Sequence, residues 1–267
     1  MTGEIVDRVL SSRRYRSVDA VLVERLAAEE LPRSRGADDA VKRVKRRLHQ
    51  AVGAFGGGGT TDRTADAWGG DLADPAFRAA CLEALAAHAS TRERIPHIDR
   101  FYRGIWERTG VPGSVLDLGC GLGPLALPWM GLDRGARYVA ADVDRRALER
   151  VDAFLGLVGQ PHEVRALDLV GADPADETDV VLALKLVTTL DRQDPAAAGR
   201  LLGSVKASHA VVSFTTRSLG GRARGMERTY RSRLDRLVAG ASRVTDVAEA
   251  SIPNELVFVL SLGRTGG

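Results

Sequence analysis

The chain is poor in cysteine. Cys81 and Cys120 are the only two among 267 residues, too few for a disulfide framework and not spaced for zinc, and no metal is expected. No apolar run approaches the roughly 20 residues that a membrane-spanning helix needs. Met1 to Leu10 carries Glu4, Asp7 and Arg8 and has no apolar h-region, so no secretory signal is expected. Together these absences make the cytoplasm the expected compartment and exclude a membrane partner. Neither sign of charge dominates: 38 Lys and Arg against 35 Asp and Glu give +3. The isoelectric point of about 9.1 is weak ground for a nucleic-acid partner, and the distribution of charge matters more. What remains is a globular composition, 44% apolar and 27% charged. The length allows one large domain or a core domain with an appendage.

The first hundred residues read as helical. Ile5, Val6, Val9 and Leu10 recur at helical spacing until Ser11-Ser12-Arg13-Arg14-Tyr15-Arg16 breaks the pattern. Val18 to Glu30 is a second amphipathic helix with Val21, Leu22 and Leu26 on one face, ended by Leu31-Pro32. A third begins near Asp38-Asp39, acids that suit a helix N-terminus. Its apolar stripe is Val41, Val44, Leu48 and Val52, and Lys42, Arg43, Lys45, Arg46 and Arg47 lie off that stripe. Such a charge run is either a solvated face or a docking patch, and five cations in six positions favour RNA. Gly56 to Gly59 is expected to be a flexible connection. Helix returns from Asp74-Pro75 to His88, and another is expected from about Thr91 to Arg108.

After Val111-Pro112-Gly113 the pattern changes to short apolar runs alternating with helices, the sign of a parallel sheet. The expected strands are Val115–Leu118, Tyr138–Asp142, Glu163–Leu167, Asp179–Leu184, Ala210–Phe214, Arg243–Ala248 and Leu256–Leu260, the last two joined by a turn at Ile252-Pro253-Asn254. The first strand runs into Gly119-x-Gly121-x-Gly123. This spacing is not the G-x-G-x-x-G of dinucleotide folds. With Asp117 two residues ahead of the glycines, it resembles motif I of the S-adenosylmethionine-dependent methyltransferases. Bare glycine backbone leaves room for the methionine part of that cofactor, and Asp117 places negative charge near its two cationic centres. The other reading is a tight turn in some other α/β protein.

The strand ends carry the remaining candidates. Asp142, about twenty residues beyond the glycines, can accept hydrogen bonds from both ribose hydroxyls or be a surface acid. Asp168, with Leu169 beside it, can accept from the adenine amino group. Lys185 ends the fourth strand and either faces the cleft above the sheet or snorkels to solvent. No Asn-Pro-Pro-Tyr motif follows that strand and no cysteine sits there, against exocyclic-amine and 5-methylpyrimidine chemistry. In His88-Ala89-Ser90-Thr91-Arg92-Glu93-Arg94, Ser90 and Glu93 fit a capping box, and Arg94 could pair bidentately with a carboxylate. Phe214 and Arg217, Arg222 and Arg224 form a glycine-containing basic loop after the fifth strand, suited to RNA phosphates and a splayed base, or simply exposed.

The His88–Arg94 run, Leu116–Leu127, and Phe214 to Glu227 with Arg217-Ser218-Leu219-Gly220-Gly221-Arg222 and Gly225-Met226-Glu227 at its centre resemble the aminoglycoside-resistance 16S rRNA (guanine-N7) methyltransferases. Leu48-His49 and Gly53-Ala54-Phe55 add to the likeness, which covers essentially the whole chain. The high Ala, Arg and Gly content looks like an actinomycete version. The resemblance implies an α/β fold: a Rossmann-like methyltransferase sheet over 109–267 and a basic helical subdomain over 1–108 that docks on rRNA. It implies S-adenosylmethionine as cofactor and methylation of N7 of guanine 1405 in 16S rRNA of the 30S subunit, with resistance to gentamicin- and kanamycin-type drugs. Cofactor contacts carried over by motif are His88, Ala89, Ser90, Arg94, Gly119, Gly121, Asp142, Asp168 and Leu169, with Lys185 and Phe55 less closely aligned.

Guanine N7 has an in-plane lone pair and no proton, so no general acid or base is expected and placement is the enzyme's work. Phe214 or an aromatic of the helical region is expected to stack on the extruded base, with the loop arginines on phosphates. A monomer is expected. Two alternatives stand beside this reading: a methyltransferase acting on a small molecule, with an apolar lid, and a silent RNA-binding module with broken cofactor motifs.

Overall fold

The computed structural model describes residues 1–52, 63–216 and 223–263. Among the described residues seven α-helices precede the sheet: Thr2–Leu10 (α1), Ala20–Glu30 (α2), Ala37–Val52 (α3), Thr64–Ala67 (α4), Pro75–Ala86 (α5), Ala89–Arg92 (α6) and Ile98–Thr109 (α7). Then come Ser114–Leu118 (β1), Leu127–Met130 (α8), Arg137–Asp142 (β2), Arg145–Leu157 (α9), His162–Ala166 (β3) and Glu177–Leu184 (β4). Val187–Asp191 (α10), Ala197–Ser204 (α11), Lys206–Thr215 (β5), Ala223–Ala239 (α12), Val244–Ile252 (β6) and Glu255–Leu262 (β7) complete the chain.

The strands form one sheet in the order β3-β2-β1-β4-β5-β7-β6. The first five are parallel and the last two form the expected antiparallel hairpin. Because side chains alternate along a strand, each strand supplies both faces. Val115, Tyr138, Ala140, Val180 and Leu182 face α5, α7 and α9, where Phe77, Phe101, Tyr102 and Phe154 fill the core. Leu116, Leu118, Val139, Val181 and Val212 face α10, α11 and α12. The strand order reverses between β1 and β4, which opens a crevice at the strands' C-terminal ends.

The helical region divides differently from expectation. Helices α1–α3 bury Ile5, Val9, Leu22, Val23, Leu26, Val44 and Leu48 in a core of their own. Helices α5 and α7 instead share the core of the sheet, so no break in the core falls at residue 108. On α2 the buried stripe is Leu22, Val23, Leu26 and Ala27, while Val21 is exposed. The helix expected over 91–108 is two: α6 ends at Arg92, and Pro96 stands in a single 3₁₀ turn, Ile95–His97, before α7 begins. The Gly56–Gly59 connection lies outside the described residues. Among the described residues no helix is long and apolar enough to cross a membrane.

Candidate cofactor cleft and the residues around it

The crevice at the strand ends is a cleft of about 250 Å³. Six of the expected residues line it: Ser90, Gly119, Asp142, Asp168, Leu169 and Lys185. Leu22, Glu93, Val143, Leu167, Leu190, Gln193 and Thr215 complete the wall among others. Gly119 and Gly121 take φ of +65° and +50°, a region that side chains disfavour. A Cβ on Gly119 would meet Leu186 Cδ1 at 3.0 Å, so the backbone there approaches as closely as glycine permits. Gly119 and Cys120 both donate to the Ala141 carbonyl, and Gly121 N–H donates to Asp142 Oδ2 at 2.8 Å. Asp142 also accepts from the N–H groups of Val143 and Asp144. Burial raises the pKa of Asp142, and these backbone donors oppose the shift.

At one end of the cleft stands a cluster of charged groups. Lys185, the residue after β4, has φ +58°. Its Nζ donates to the Ser90 carbonyl at 2.9 Å and to Glu93 Oε2 at 2.6 Å. Arg94 grips Glu255 bidentately, at 2.9 and 2.7 Å, and lies over the Phe101 ring. Ser213 Oγ donates to the same Glu255 carboxylate. Thr215 Oγ1 donates to Glu93. At the other end Arg25 of α2 grips Asp168, with Nε on Oδ2 at 2.5 Å and Nη2 on Oδ1 at 3.1 Å.

The chain matches the family described as ribosomal RNA methyltransferase (FmrO) over residues 11–259. It belongs to that family. It is 40% identical to the 16S rRNA (guanine(1405)-N(7))-methyltransferase of Frankia casuarinae over 96% of this chain and 94% of the relative. It is 38% identical to the enzyme of the same description from Micromonospora echinospora, over 96% and 95%. Among solved structures, the 16S rRNA methyltransferase RmtF in complex with S-adenosyl-L-homocysteine aligns with a TM-score of 0.81 at 34% identity, covering 99% of this chain and 98% of that one. The 16S rRNA methylase RmtB aligns with a TM-score of 0.78 at 26% identity, over 98% and 99%. This FmrO-family chain is therefore an rRNA methyltransferase on a Rossmann-like α/β sheet, which displaces both the small-molecule and the silent-module alternatives.

Several site expectations for this FmrO-family member need correction on geometry. Ser90 is not an N-cap: α6 begins at Ala89, and Ser90 Oγ meets His88 Nδ1 at 2.8 Å. Glu93 is an ion-pair partner of Lys185, not the second half of a capping box. Arg94 is absent from the cleft wall, and Glu255 takes its guanidinium. His88 is buried beneath Gly121, whose Cβ would lie 3.5 Å from its Cε1, and burial lowers its pKa. Asp117 sits on the opposite face of β1 from Leu116 and Leu118, accepts from Tyr138 Oη at 2.8 Å and is absent from the cleft wall. Burial pushes its carboxyl up to about 7.

Phe214 cannot stack on a base as it stands. Strand alternation turns it inward, 1% exposed, stacked on Tyr230 at 5.0 Å. Of the five α3 cations, Arg43 and Arg47 are held by Glu30, and Arg47 also reaches Glu29. Lys42 and Arg46 are exposed. Exposed Arg14, from the segment between α1 and α2, reaches His49 Nδ1 on α3 at 2.7 Å. Phe55, Arg217 and Arg222 lie outside the described residues, as do the side chains of Ala89 and Arg224. Sequence reasoning missed Arg25, Gln193 and Glu255, whose partners are far away in the chain. Glu93 stands in a motif whose local pattern points to a cap, while its partner Lys185 is 92 residues away.

Proposed function

We propose that this chain methylates N7 of guanine 1405 in 16S rRNA, using S-adenosylmethionine, with the assembled 30S subunit as substrate. The observation that carries the reading is the cleft itself, in which strand-end acids meet bare glycine backbone, with Lys42 and Arg46 exposed on α3. A monomer acting in the cytoplasm is part of the proposal, as is resistance to gentamicin- and kanamycin-type drugs.

The cleft suits the cofactor. Its acids, Asp142, Asp168 and Glu93, complement two cationic centres. Leu22, Leu167, Leu169 and Leu190 offer an apolar slot for a purine. Asp142 would hold the ribose hydroxyls and Asp168 the adenine amino group. Ser90 and Lys185 would hold the amino-acid end, since an ammonium has three donors and Lys185 already commits two to Ser90 and Glu93. The Arg94–Glu255 pair would act at one remove, by bracing the strand ends around Ser213 and Lys185.

When bound, the cofactor supplies a methyl group on a cationic sulfonium. Guanine N7 offers its lone pair directly, so no side chain needs to take up a proton. The chain's contribution is placement, worth about 7–11 kcal/mol in favourable cases, against a few kcal/mol for extruding the base. Lys42, Lys45, Arg46 and the arginines of the 11–17 segment would meet phosphates, and the unit that docks would be α1–α3. The methylated base carries a fixed positive charge, which repels a polycationic drug and removes an acceptor.

The test is transfer of tritium from labelled S-adenosylmethionine to 30S subunits and to stripped 16S rRNA, with the modified nucleotide mapped. Label at N7 of guanine 1405 in 30S is the expected result. Label on stripped RNA alone overturns the 30S substrate, and label on neither overturns the proposal.

A further inference from the structure

Helix α2 belongs to the α1–α3 core, yet it also walls the cleft. Leu22 lines the cleft, and Arg25, three residues on, lies on the same helix face. Four hydrogen bonds fix the Arg25 guanidinium: two to Asp168, one to Glu29 at 2.8 Å and one to Gln193 Oε1 at 3.0 Å. Asp168 is only 4% exposed, and its Oδ1 also accepts from Val170 N–H at 3.2 Å, so the guanidinium and that donor together set which way its carboxylate points. The chain of contacts continues outward. Glu29 accepts from Arg47 at 3.1 Å, Arg47 also binds Glu30 at 2.8 Å and the Gln193 carbonyl at 3.3 Å, and Arg43 binds Glu30 at 2.6 Å. Arg43 and Arg47 alternate on α3 with the exposed Lys42 and Arg46.

A second tie fixes the same helices at the next strand end. Asp19 N–H donates to the Val143 carbonyl, Arg145 N–H donates to the Ser17 carbonyl, each at 2.8 Å, and the Arg145 side chain grips Asp19 at 2.7 Å. Val143 follows Asp142 in the cleft wall. The α1–α3 unit is thus bonded to both acid-bearing edges of the cleft, and displacing it must disturb both.

We propose that Arg25 is a positioning residue of the cofactor cleft, and that through it docking of rRNA on α3 tightens the hold on the cofactor. This rests on the cofactor and docking roles proposed above. Docking anchors α3, which restrains the Glu29–Glu30 edge of α2 and keeps Arg25 on Asp168. Coupling of this kind is reciprocal: the cofactor then tightens 30S binding by the same factor.

The experiment is calorimetric titration of S-adenosylhomocysteine into the full chain, alone and with saturating 30S subunits, for wild type, Arg25→Ala and Arg25→Lys. Wild type is expected to bind at least about fivefold more tightly with 30S, the low end of ordinary coupling. Arg25→Ala alone should bind about tenfold more weakly than wild type, the loss of the one charge-assisted hydrogen bond that Asp168 would make to the adenine. Its affinity should change clearly less with 30S than that of wild type, the Asp19–Arg145 tie keeping the remainder. Arg25→Lys should fall between, because an ammonium cannot reproduce the bidentate fork. A merely structural role would lower the melting temperature and leave the 30S effect intact. If Arg25→Ala does not fold, Arg25→Lys decides: a reduced 30S effect supports the proposal and an unchanged one overturns it. A wild-type ratio near one, a weakening by 30S, or full coupling in Arg25→Ala overturns it. Tritium transfer by wild type to the same 30S preparation separates the failures. Transfer without coupling sinks only this proposal, whereas neither transfer nor coupling sinks the substrate reading as well.

Discussion

The two charged networks that flank the cleft use the same kinds of side chain in different surroundings. Around Lys185, the Arg94 and Glu255 side chains are 8% and 3% exposed. Around Asp168, Arg25 and Arg47 are 18% and 19% exposed, and Arg43 and Glu29 about a third. The Arg94–Glu255 pair of the first network is dry, while Glu93 beside Lys185 is 32% exposed on the cleft side. Each charge of that pair depends on its partner, because an unpaired ion cannot recover its hydration. The second network is wetted along its outer edge, where phosphates could compete for its arginines. One end of the cleft is therefore suited to fix geometry, and the other to respond to what binds outside.

The sharpest way to break this comparison is to cut the dry pair. Glu255→Ala leaves Arg94 buried without a counter-charge and should cost about 3–5 kcal/mol of unfolding free energy in urea, with loss of cofactor binding as Lys185 loosens. The next effect comes from Asp117, which burial raises from an ordinary 3.8 to about 7. The folded chain keeps this proton at pH values where the unfolded chain has released it. Its stabilising contribution is therefore full below about pH 4 and is lost as pH rises through about 7, an effect on the order of a few kcal/mol. Urea midpoints from pH 4 to 8 should show this fall, and Asp117→Asn should flatten it.

Smaller effects belong to the wetted side. Arg43→Ala should cost only about 0.2–1 kcal/mol, because Glu30 keeps Arg47. A cost equal to that of Glu255→Ala would erase the distinction between the two networks. Lys42→Ala and Arg46→Ala should leave stability within about 0.5 kcal/mol. Each should lower the slope of log affinity for 30S against log salt by about 1, while Arg43→Ala should change it less.

The strand ends were legible because buried parallel strands write themselves as continuous apolar runs. Asp142, Asp168 and Lys185 follow such runs directly, so their place at the cleft followed from the pattern. Helix α3 was legible through Val41, Val44 and Leu48. The pairings were not. Arg94 finds Glu255 across 161 residues and Arg25 finds Asp168 across 143, and no local pattern encodes either. The same blindness misplaced Phe214: its position at a strand end suggested an exposed ring, but which face it takes depends on register. The cap at Ser90 differs for a local reason, since His88, two residues earlier, stands at the N-cap of α6 and a new turn begins at Ile95.

Lys185 keeps a left-handed backbone at the end of β4, where glycine would rest about 1 kcal/mol more easily. Its amine is nonetheless tied to Ser90 and Glu93, and the site proposed here needs that amine. Backbone strain and side-chain contacts thus rank glycine and lysine at position 185 in opposite orders. The contacts outweigh the strain, because losing the ammonium leaves Glu93 and the buried Glu255 short of a counter-charge. A library selected for heat resistance and one selected by survival on an aminoglycoside should therefore both purge Lys185→Gly.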